Sequence, residues 1–371
     1  MARLGDIATY INGFAFKPSD WSDSGVPIIR IQDLTGNSYQ ANRYSGEYDK
    51  KYEVLPGDVL ISWSASLGIY VWTGERAVLN QHIFKVVFDK CEVDKSFFVH
   101  QVQNILEKAA SSAHGATMKH LTKPVFDALP FYLPPLEEQR RIAALLDKVS
   151  DLIAKRRAQL DKLDLLVKAR FVEMFGDITA NPKGWKKEKL QSHIDMITGF
   201  PFNSSGYSEN GVKICGGLII MPDQIKWDEC KFWPDSLGYE QFLLQEDDIV
   251  VALDRPWISE GFKIGEIQAE DLPALLIQRT ARIRGRDITQ QFLLYLLKDK
   301  AFERHCTITG SLVPHISNKD INSYEVILPP FKLQQKFDEF YNKSKLSKLT
   351  FQQSLDKLEL LKKALMQQYF G

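Results

Sequence analysis

The feature that most constrains this chain is an internal repeat. DKLDLLVKARFVEMFG at residues 161–176 returns as DKLELLKKALMQQYFG at residues 356–371, with nine of sixteen positions identical. Four further matched pairs are INGFAF (11–16) with ITGFPF (197–202), LPGDVLIS (55–62) with LQEDDIVVA (244–252), GATMKHL (115–121) with GSLVPHI (310–316), and YLPPLEEQRRI (132–142) with ILPPFKLQQKF (327–337). Matched halves of one chain indicate repeated structural units. The sequence therefore predicts two modules, each followed by a segment of different character.

Each of those following segments has the spacing of a long helix. In the first, apolar residues recur at alternating steps of four and three, interrupted only at Arg156 and Arg170. This period of 3.5 is typical of the seam of a left-handed coiled coil. A helix of about 40 residues would be roughly 60 Å long, which is long for the core of one module. We expect the two helices to pair, and packing of each helix on its own module is the alternative. The predicted interface of the helix pair consists of Ile142, Leu146, Val149, Ile153, Leu160, Leu163, Val167, Phe351, Leu355, Leu358 and Leu365.

The modules have the pattern of mixed, strand-rich domains. Strands are predicted at 26–34, 57–64, 82–88, 247–253 and 279–285, and one helix in each module at 95–111 and 289–305. The predicted fold class is α+β, with two mixed α/β, strand-rich domains and two long helices. The predicted boundaries are 1–134 for the first domain, 135–176 for its helix, 177–329 for the second domain and 330–371 for the second helix.

Composition limits the class of protein. Lys+Arg and Asp+Glu are both 47, so binding to nucleic acid must come from local charge. The four cysteines lie far apart and predict reduced thiols rather than disulfides or a zinc site. The first residues lack the apolar core of a signal peptide, and no apolar run is long enough for a membrane span. We therefore expect a cytoplasmic protein.

Motifs for catalysis are missing from the sequence. It contains no GxxxxGK[ST], HExxH or GxSxG motif and no GxGxxG after a strand. The segment PDQIKWDECK (222–231) resembles the metal-binding core of many nucleases, in which two carboxylates and a lysine hold Mg²⁺. Its five intervening residues leave little room for the paired strands of such a site, and a solvated hairpin is the favoured interpretation. We expect no catalytic and no metal-binding residue in this chain, with a Mg²⁺-dependent nuclease as the alternative.

Binding features recur in both modules. The aromatic residues of the Gly-Phe-x-Phe motifs either pack on sugars and bases or fill the module cores. Arg30 and Gln32 are two apart on a predicted strand and would share one face. Arg282, Arg284 and Arg286 likewise share a face, as a track for phosphates or as a solvated strand edge. The candidate binding residues are Phe14, Phe16, Lys17, Arg30, Gln32, Gln81, His82, Lys119, His120, Phe200, Phe202, Asn203, Gln278, Arg279, Arg282, Arg284 and His315.

Together these features identify a family resemblance. Two divergent modules, LPPLEEQRRIAALLDKVSDLI and the two repeated helix ends resemble the DNA-specificity subunit of type I restriction–modification systems over the whole chain. The resemblance implies two target recognition domains joined by an antiparallel helix pair with a pseudo-twofold axis. The second copy, LPPFKLQQKF, lacks the Glu-Gln-Arg of the first.

The resemblance also implies partners and roles. We expect double-stranded DNA as ligand, with two modification subunits and restriction subunits as partners that supply S-adenosylmethionine, ATP and Mg²⁺. Lys17, Arg279, Arg282 and Arg284 would contact phosphates, while Arg30, Gln32, Gln81 and Gln278 would read base edges in the major groove. A bipartite, asymmetric target is expected, with one half-site for each domain. A scaffold whose modules bind protein instead of DNA is the second alternative.

Overall fold

The computed structural model describes residues 1–36, 42–112, 122–310 and 313–371, which form two compact units. Unit 1 comprises residues 1–158 and 352–371, and unit 2 comprises residues 159–351. Each unit thus contains one module together with the first part of one long helix and the last part of the other. The predicted domain boundaries follow the repeat instead, and they stay a prediction.

Unit 1 begins with a module of short strands and helices. Its strands are β1 (Ala2–Arg3), β2 (Thr9–Asn12), β3 (Val26–Ile29), β4 (Arg43–Tyr44), β5 (Glu53–Val54), β6 (Val59–Ser62), β7 (Gly68–Val71), β8 (Ala77–Leu79), β9 (Ile83–Val87) and β10 (Pro130–Phe131). Its helices are α1 (Leu4–Ile7), α2 (Ile31–Leu34), α3 (Lys95–Ser112) and α4 (Lys123–Asp127), and the first long helix, α5 (Leu136–Phe175), follows.

Unit 2 contains the second module. Its strands are β11 (Lys186–Lys189), β12 (Ile194–Thr198), β13 (Val212–Cys215), β14 (Ile220–Met221), β15 (Gln224–Ile225), β16 (Lys231–Trp233), β17 (Ile249–Ala252), β18 (Trp257–Ile258), β19 (Gly261–Phe262), β20 (Ile264–Glu266), β21 (Ala274–Leu276), β22 (Thr280–Gly285) and β23 (Glu325–Leu328). Its helices are α6 (Gln290–Lys298), α7 (Lys300–His305) and α8 (Asn318–Ser323), and the second long helix, α9 (Phe331–Phe370), follows.

The repeat is visible in the sheet topology. The first module has an antiparallel sheet of order β2-β9-β6-β7, and the second has the matching order β12-β22-β17-β20. A second sheet in each module contains one parallel pair, β3 with β8 and β13 with β21. The predicted mixed helix and strand fold is confirmed, and the repeat holds strand for strand in the antiparallel sheet, whereas the second sheet has four strands in module 1 and three in module 2.

The central strand of each antiparallel sheet is covered on both faces. Val59 and Ile61 of β6 pack into a core shared with α3 and the start of α5, whereas Leu60 packs toward the second sheet. In unit 2, Ile249 and Val251 face the helices, and Val250 packs into the other core. Successive side chains of a strand point to opposite faces, so burial on both faces requires an apolar residue at every position.

The two long helices run antiparallel within each unit. In unit 1 the Nε atom of Arg156 donates to Oγ of Ser354 over 3.1 Å, and Arg157 pairs with Glu359 at 2.7 Å. In unit 2 Lys348 pairs with Asp164 at 2.8 Å. The guanidinium of Arg170 lies 5.9 Å from the ring centre of Phe340. Both arginines that interrupt the apolar seam therefore meet a partner on the other helix.

The predicted seam residues lie inside the units. Ile142, Leu146, Val149, Ile153, Val167 and Leu355 are buried, and Leu160, Leu163, Phe351, Leu358 and Leu365 are half-buried. Ile142, Leu146 and Leu365 also contact the core of module 1, and Val167 belongs to a core of module 2. The alternative that each helix packs only on its own module is wrong, because the end of α9 lies in unit 1 and the end of α5 in unit 2.

A buried glutamine anchors the start of each long helix. Gln139 is 2% exposed; its Nε2 donates to the Pro134 carbonyl at 2.8 Å and its Oε1 accepts from the Asp94 amide at 2.9 Å. Gln334 is also 2% exposed and makes the same pair of bonds, to Pro329 and to Thr289. This double contact explains why the Leu-Pro-Pro segment and the glutamine return together in the sequence.

Two predicted elements differ from the structure. The strand predicted at 26–34 ends at Ile29, since the Asp33 carboxylate accepts the Arg30 amide at 2.8 Å and starts helix α2. The helix predicted at 289–305 is two helices, because Asp299 caps α7 by accepting the Ala301 amide at 2.8 Å. All four cysteines are free thiols, and none of the described helices is long and apolar enough to cross a membrane.

The glutamine contact can be tested by Gln139→Leu. Leucine leaves the Asp94 amide and the Pro134 carbonyl without their partner, so we expect a loss of about 1–3 kcal/mol in the free energy of unfolding of unit 1. Urea denaturation measures it. Gln353→Leu, on the exposed face of α9, is the matched control and should change stability by less than about 0.5 kcal/mol. Equal stability of the two variants would contradict the anchoring role.

Candidate nucleic-acid interface

Each module has an edge made of two adjacent turns, which we call the paired-turn edge. It comprises residues 63–66 and 80–82 in module 1, and residues 253–256 and 277–279 in module 2. The two turns are joined by a backbone hydrogen bond, from Trp63 to His82 at 3.2 Å and from Leu253 to Arg279 at 3.0 Å. In module 1 the first turn follows β6 and the second turn precedes β9. In module 2 the first turn follows β17 and the second precedes β22.

The backbone of this edge is strained at matched positions. Ala65 and His82 have φ angles of 60° and 73°, and their counterparts Arg255 and Arg279 have 45° and 62°. Residues other than glycine seldom adopt positive φ, and such residues tend to cluster at functional sites. The same two departures in both modules show that the fold imposes this backbone on unlike side chains.

A glycine permits the closest backbone approach in module 1. A Cβ atom on Gly13 would lie 2.0 Å from the carbonyl oxygen of Asn80. Beside it, the Phe14 amide donates to the Leu79 carbonyl at 2.9 Å, and the Gln81 amide donates to the Phe14 carbonyl at 2.8 Å. The Gly-Phe pair therefore holds the turn at 80–82 in place.

The same arrangement recurs in module 2. A Cβ atom on Gly199 would lie 2.1 Å from the carbonyl oxygen of Ile277. The Phe200 amide donates to Leu276 at 3.0 Å, and the Gln278 amide donates to Phe200 at 2.9 Å. The repeated Gly-Phe-x-Phe sequence is thus a structural support for the paired-turn edge.

The phenylalanines of this motif divide into two kinds. Phe16 and Phe202 are buried, with exposed fractions of 9% and 4%, so the core-filling interpretation describes them. Phe14 is 45% exposed and packs on Tyr52, and Phe200 is half-buried against Tyr239. Only the first phenylalanine of each motif presents a ring edge that a ligand can reach.

The predicted arginine track is internally paired. Arg282 is 4% exposed and contacts Asp195 at 2.5 Å. Arg284 binds Asp248, with Nη2 to Oδ2 at 2.8 Å, and this bond raises the pKa of its guanidinium. In module 1, Lys85 pairs with Asp58 at 2.9 Å in a comparable place. In this conformation neither arginine is available to a phosphate, and Arg286 lies beyond the end of β22, so the proposed shared face is wrong for that residue.

The predicted shared face of Arg30 and Gln32 is also wrong. Arg30 follows the end of β3, and its guanidinium lies 5.1 Å from the ring centre of Trp21. Gln32 lies in α2. The two side chains are half-buried and belong to a helical turn, where residues two apart point in different directions.

The remaining candidates have varied surroundings. Lys17, Gln278 and Arg279 are exposed, while Gln81 and His82 are half-buried. Asn203 is exposed, but its Oδ1 accepts the Ser205 amide at 3.1 Å. His315 bonds to Thr309 Oγ1 at 2.9 Å. Lys119 and His120 lie outside the described residues. The structure therefore brings Phe14, Gln81 and His82 together in module 1, and Phe200, Gln278 and Arg279 in module 2.

Four residues near the paired-turn edges were not identified as candidates from the sequence. The ring of Trp63 lies 5.0 Å from that of His82 in module 1. In module 2, Arg279 pairs with Asp254 at 3.1 Å, and both line a pocket of about 350 Å³ with Arg255 and Lys263. The signal was the matched pair LPGDVLIS and LQEDDIVVA, which stops immediately before the first turn in each module.

The segment considered as a nuclease core forms a hairpin. β14 and β15 pair across a turn at residues 222–223, and Asp223 contacts Lys298 at 2.5 Å. Glu229 lies in a separate short helical turn. Among the described residues, no group of three or more His, Cys, Asp or Glu side chains is arranged to hold a metal ion.

Comparison with known proteins finds sequence similarity to one family. Residues 1–163 match the family described as type I restriction modification DNA specificity domain. The MjaVIII specificity subunit of Methanocaldococcus jannaschii is 27% identical over 361 residues, which cover 91% of this chain and 84% of that protein. The EcoBI specificity subunit of Escherichia coli is 32% identical over 60% of this chain and 49% of that protein.

The resemblance to type I restriction–modification specificity subunits is confirmed. The crystal structure of an S subunit from M. genitalium shares the fold, with a TM-score of 0.61 and 13% identity over 98% of this chain and 94% of that one. Because the similar proteins are specificity subunits, the comparisons also support the prediction that this chain is not itself an enzyme.

The glycine support can be tested by Gly199→Ala. The added methyl group would overlap the Ile277 carbonyl, so we expect unit 2 to lose about 1–3 kcal/mol of stability in urea denaturation. Gly217→Ala is the matched control, because its nearest atom, 3.6 Å away, is in ordinary contact. If Gly199→Ala unfolds at the same urea concentration as the control, the close approach is not a constraint.

Proposed function

We propose that this chain is the DNA-recognition subunit of a type I restriction–modification complex, with a bipartite, asymmetric target and one half-site for each module. The observation that carries the proposal is the paired-turn edge. Its backbone has positive φ at the same two places in both modules, whereas the side chains at those places differ. A common scaffold with unlike side chains suits the reading of two different sequences by one chain.

The side chains of the two edges favour different base contacts. Module 1 presents Trp63, Gln81 and His82, a set of aromatic and polar groups. Module 2 presents Arg255, Gln278 and Arg279. Glutamine forms paired hydrogen bonds with adenine in the major groove, whereas the arginines on either side of Gln278 suit the phosphate backbone. The half-sites of the two modules are therefore expected to differ, which makes the target asymmetric.

Phosphate contacts would supply affinity rather than sequence choice. Lys17 in module 1 and Arg279 in module 2 are the exposed lysine and arginine among the candidates that the structure describes. The chain has equal numbers of positive and negative residues. We therefore expect weak binding by the isolated chain and stronger, salt-dependent binding by the assembled complex.

The outer faces of the long helices carry a matched apolar pair. Leu165 and Leu166 in unit 2 are 66% and 51% exposed, and their repeat counterparts Leu360 and Leu361 in unit 1 are 69% and 46% exposed. Exposed leucines that recur at the same place suggest an interaction site present twice. Two copies of one modification subunit would fit this duplication, with a leucine pair for each copy.

Chemistry would reside in those partners. The resemblance implies that modification subunits bind S-adenosylmethionine, and that restriction subunits use ATP and Mg²⁺. A base that is to be methylated must leave the duplex stack, and we assign that step to the modification subunit. This chain would only position the modification and restriction subunits on the DNA and determine the sequence specificity.

The role of the second edge can be tested by Gln278→Leu in the complex with modification subunits. Loss of one paired glutamine contact should weaken binding of the target by about 1–3 kcal/mol, or roughly 5- to 150-fold, mainly through the half-site of module 2. Fluorescence anisotropy with targets altered in either half-site measures this effect. Gln241→Leu, an exposed glutamine elsewhere in unit 2, is the control. Unchanged affinity for every target would favour a module that binds protein instead of DNA.

The leucine pairs can be tested by two double variants. Leu165→Asp with Leu166→Asp, and separately Leu360→Asp with Leu361→Asp, should each reduce the number of bound modification subunits from two to one. Native mass spectrometry counts the subunits. Leu237→Asp, at a position that is 78% exposed in module 2, is the control and should keep both. Retention of two subunits by each double variant would exclude the leucine pairs as docking sites.

A further inference from the structure

A buried lysine lies beside the paired-turn edge of module 2. Lys263 is only 6% exposed, and its Nζ donates to the carbonyl of Gly217. Among the described residues, no carboxylate forms an ion pair with it, although an ammonium group can donate three hydrogen bonds. A buried charge without a counter-ion is unfavourable unless something else compensates it.

The lysine lines a pocket with further positive charge. Arg255 and Arg279 lie on the wall of the same pocket of about 350 Å³, together with Asp254. Asp254 already pairs with Arg279, and that pair is partly exposed to solvent. Burial and the neighbouring Arg255 lower the pKa of the Lys263 ammonium, and Asp254 opposes this effect only in part, because loss of solvent and a nearby like charge both disfavour the charged form. The pocket has three cations and one anion.

Module 1 lacks this arrangement. Lys263 lies beside Ala252 of β17, and the residue that lies beside the matching Ser62 of β6 is Gly68. Likewise, Ala65 stands where module 2 has Arg255. The two positive residues therefore occur in only one of two modules that share this sheet, so the shared fold itself does not require them.

We propose that this pocket binds a backbone phosphate of the DNA at the half-site of module 2, with Lys263, Arg255 and Arg279 as its ligands. This inference rests on the proposed function and deepens it. A phosphate oxygen would accept the remaining hydrogen-bond donors of Lys263 and neutralise the pocket. Arg279 would exchange its exposed contact with Asp254 for the phosphate, since such a pair contributes little in solvent.

The surroundings favour a phosphate of DNA over other ligands. Among the described residues that line the pocket there is no aromatic ring on which a base or sugar could pack. The pocket adjoins the turn at 277–279, so a duplex on the paired-turn edge would bring its backbone there. Leu218 and Val313, which are 86% and 37% exposed, lie on the same wall and leave an apolar rim. Module 2 would then carry more of the salt dependence of binding than module 1.

The test is Lys263→Met in the complex with modification subunits, with affinity for target DNA measured at several salt concentrations. Methionine keeps the length of the side chain and removes the charge. Loss of one phosphate contact should make the slope of log K against log salt less steep by roughly 0.9, because one counterion fewer is released. Affinity at low salt should fall several-fold. Lys231→Met, an exposed lysine of module 2, is the control and should keep the slope.

A second measurement separates ligand binding from a structural role. Because Lys263→Met removes a buried charge that forms no ion pair among the described residues, the variant should be as resistant to urea as the parent chain or more so, while its DNA binding weakens. A variant that loses stability and keeps the salt slope would show that Lys263 is structural, and would overturn the inference. Arg255→Gln, which alters an exposed strained residue rather than the buried one, gives an independent reading of the same slope.

Replacing one DNA phosphate with an uncharged methylphosphonate tests whether the anion in the pocket comes from the DNA. A methylphosphonate at the contacted position should weaken binding of the parent complex and leave Lys263→Met unaffected. If inorganic phosphate binds to the parent complex through Lys263, and Lys263→Met keeps the parental slope of log K for DNA against log salt, the pocket holds a free anion. That result would overturn the assignment to DNA. If the parent complex binds no target sequence selectively, the proposed function fails; if it binds selectively and Lys263→Met keeps the parental slope, only this inference fails.

Discussion

The paired-turn edge of each module depends on the close approach of a glycine to a backbone carbonyl. At Gly13 and Gly199 the chain passes so close to the turns at 80–82 and 277–279 that no side chain fits. The hydrogen bonds on either side then hold those turns, including the strained residues His82 and Arg279, in one conformation. Fixing the backbone in this way lets side chains at the edge vary without loss of the fold, as the proposed reading of two different sequences requires.

The long helices differ from the paired-turn edges, because the two helices have similar sequences where they are repeated. The buried glutamines Gln139 and Gln334 attach each helix to its module through the same two hydrogen bonds. Within each unit the start of one helix lies antiparallel to the end of the other, and the repeated leucine pairs remain exposed. Similarity on the outer helix faces and difference at the turn edges are consistent with two equal partners and two unequal half-sites.

Periodicity predicted the helices well because a seam of period 3.5 extends over many turns. The apolar runs of β6, β9, β17 and β22 were equally clear, since central strands are covered on both faces. The site was harder to predict. Arg282 and Arg284 gave a basic pattern, but only coordinates reveal the carboxylates of Asp195 and Asp248 beside them. Arg255 and Lys263 were missed because their roles depend on turn geometry and burial, which no spacing in the sequence expresses.

The most direct test of the account is a map of methylated bases in the genome of the host, with and without the gene for this chain. The account predicts an adenine-methylation motif in two unlike parts separated by unspecified bases, and its complete loss when the gene is deleted. An unchanged map, or a motif that is continuous or has identical halves, would contradict the claim that two differing modules of this chain select the target.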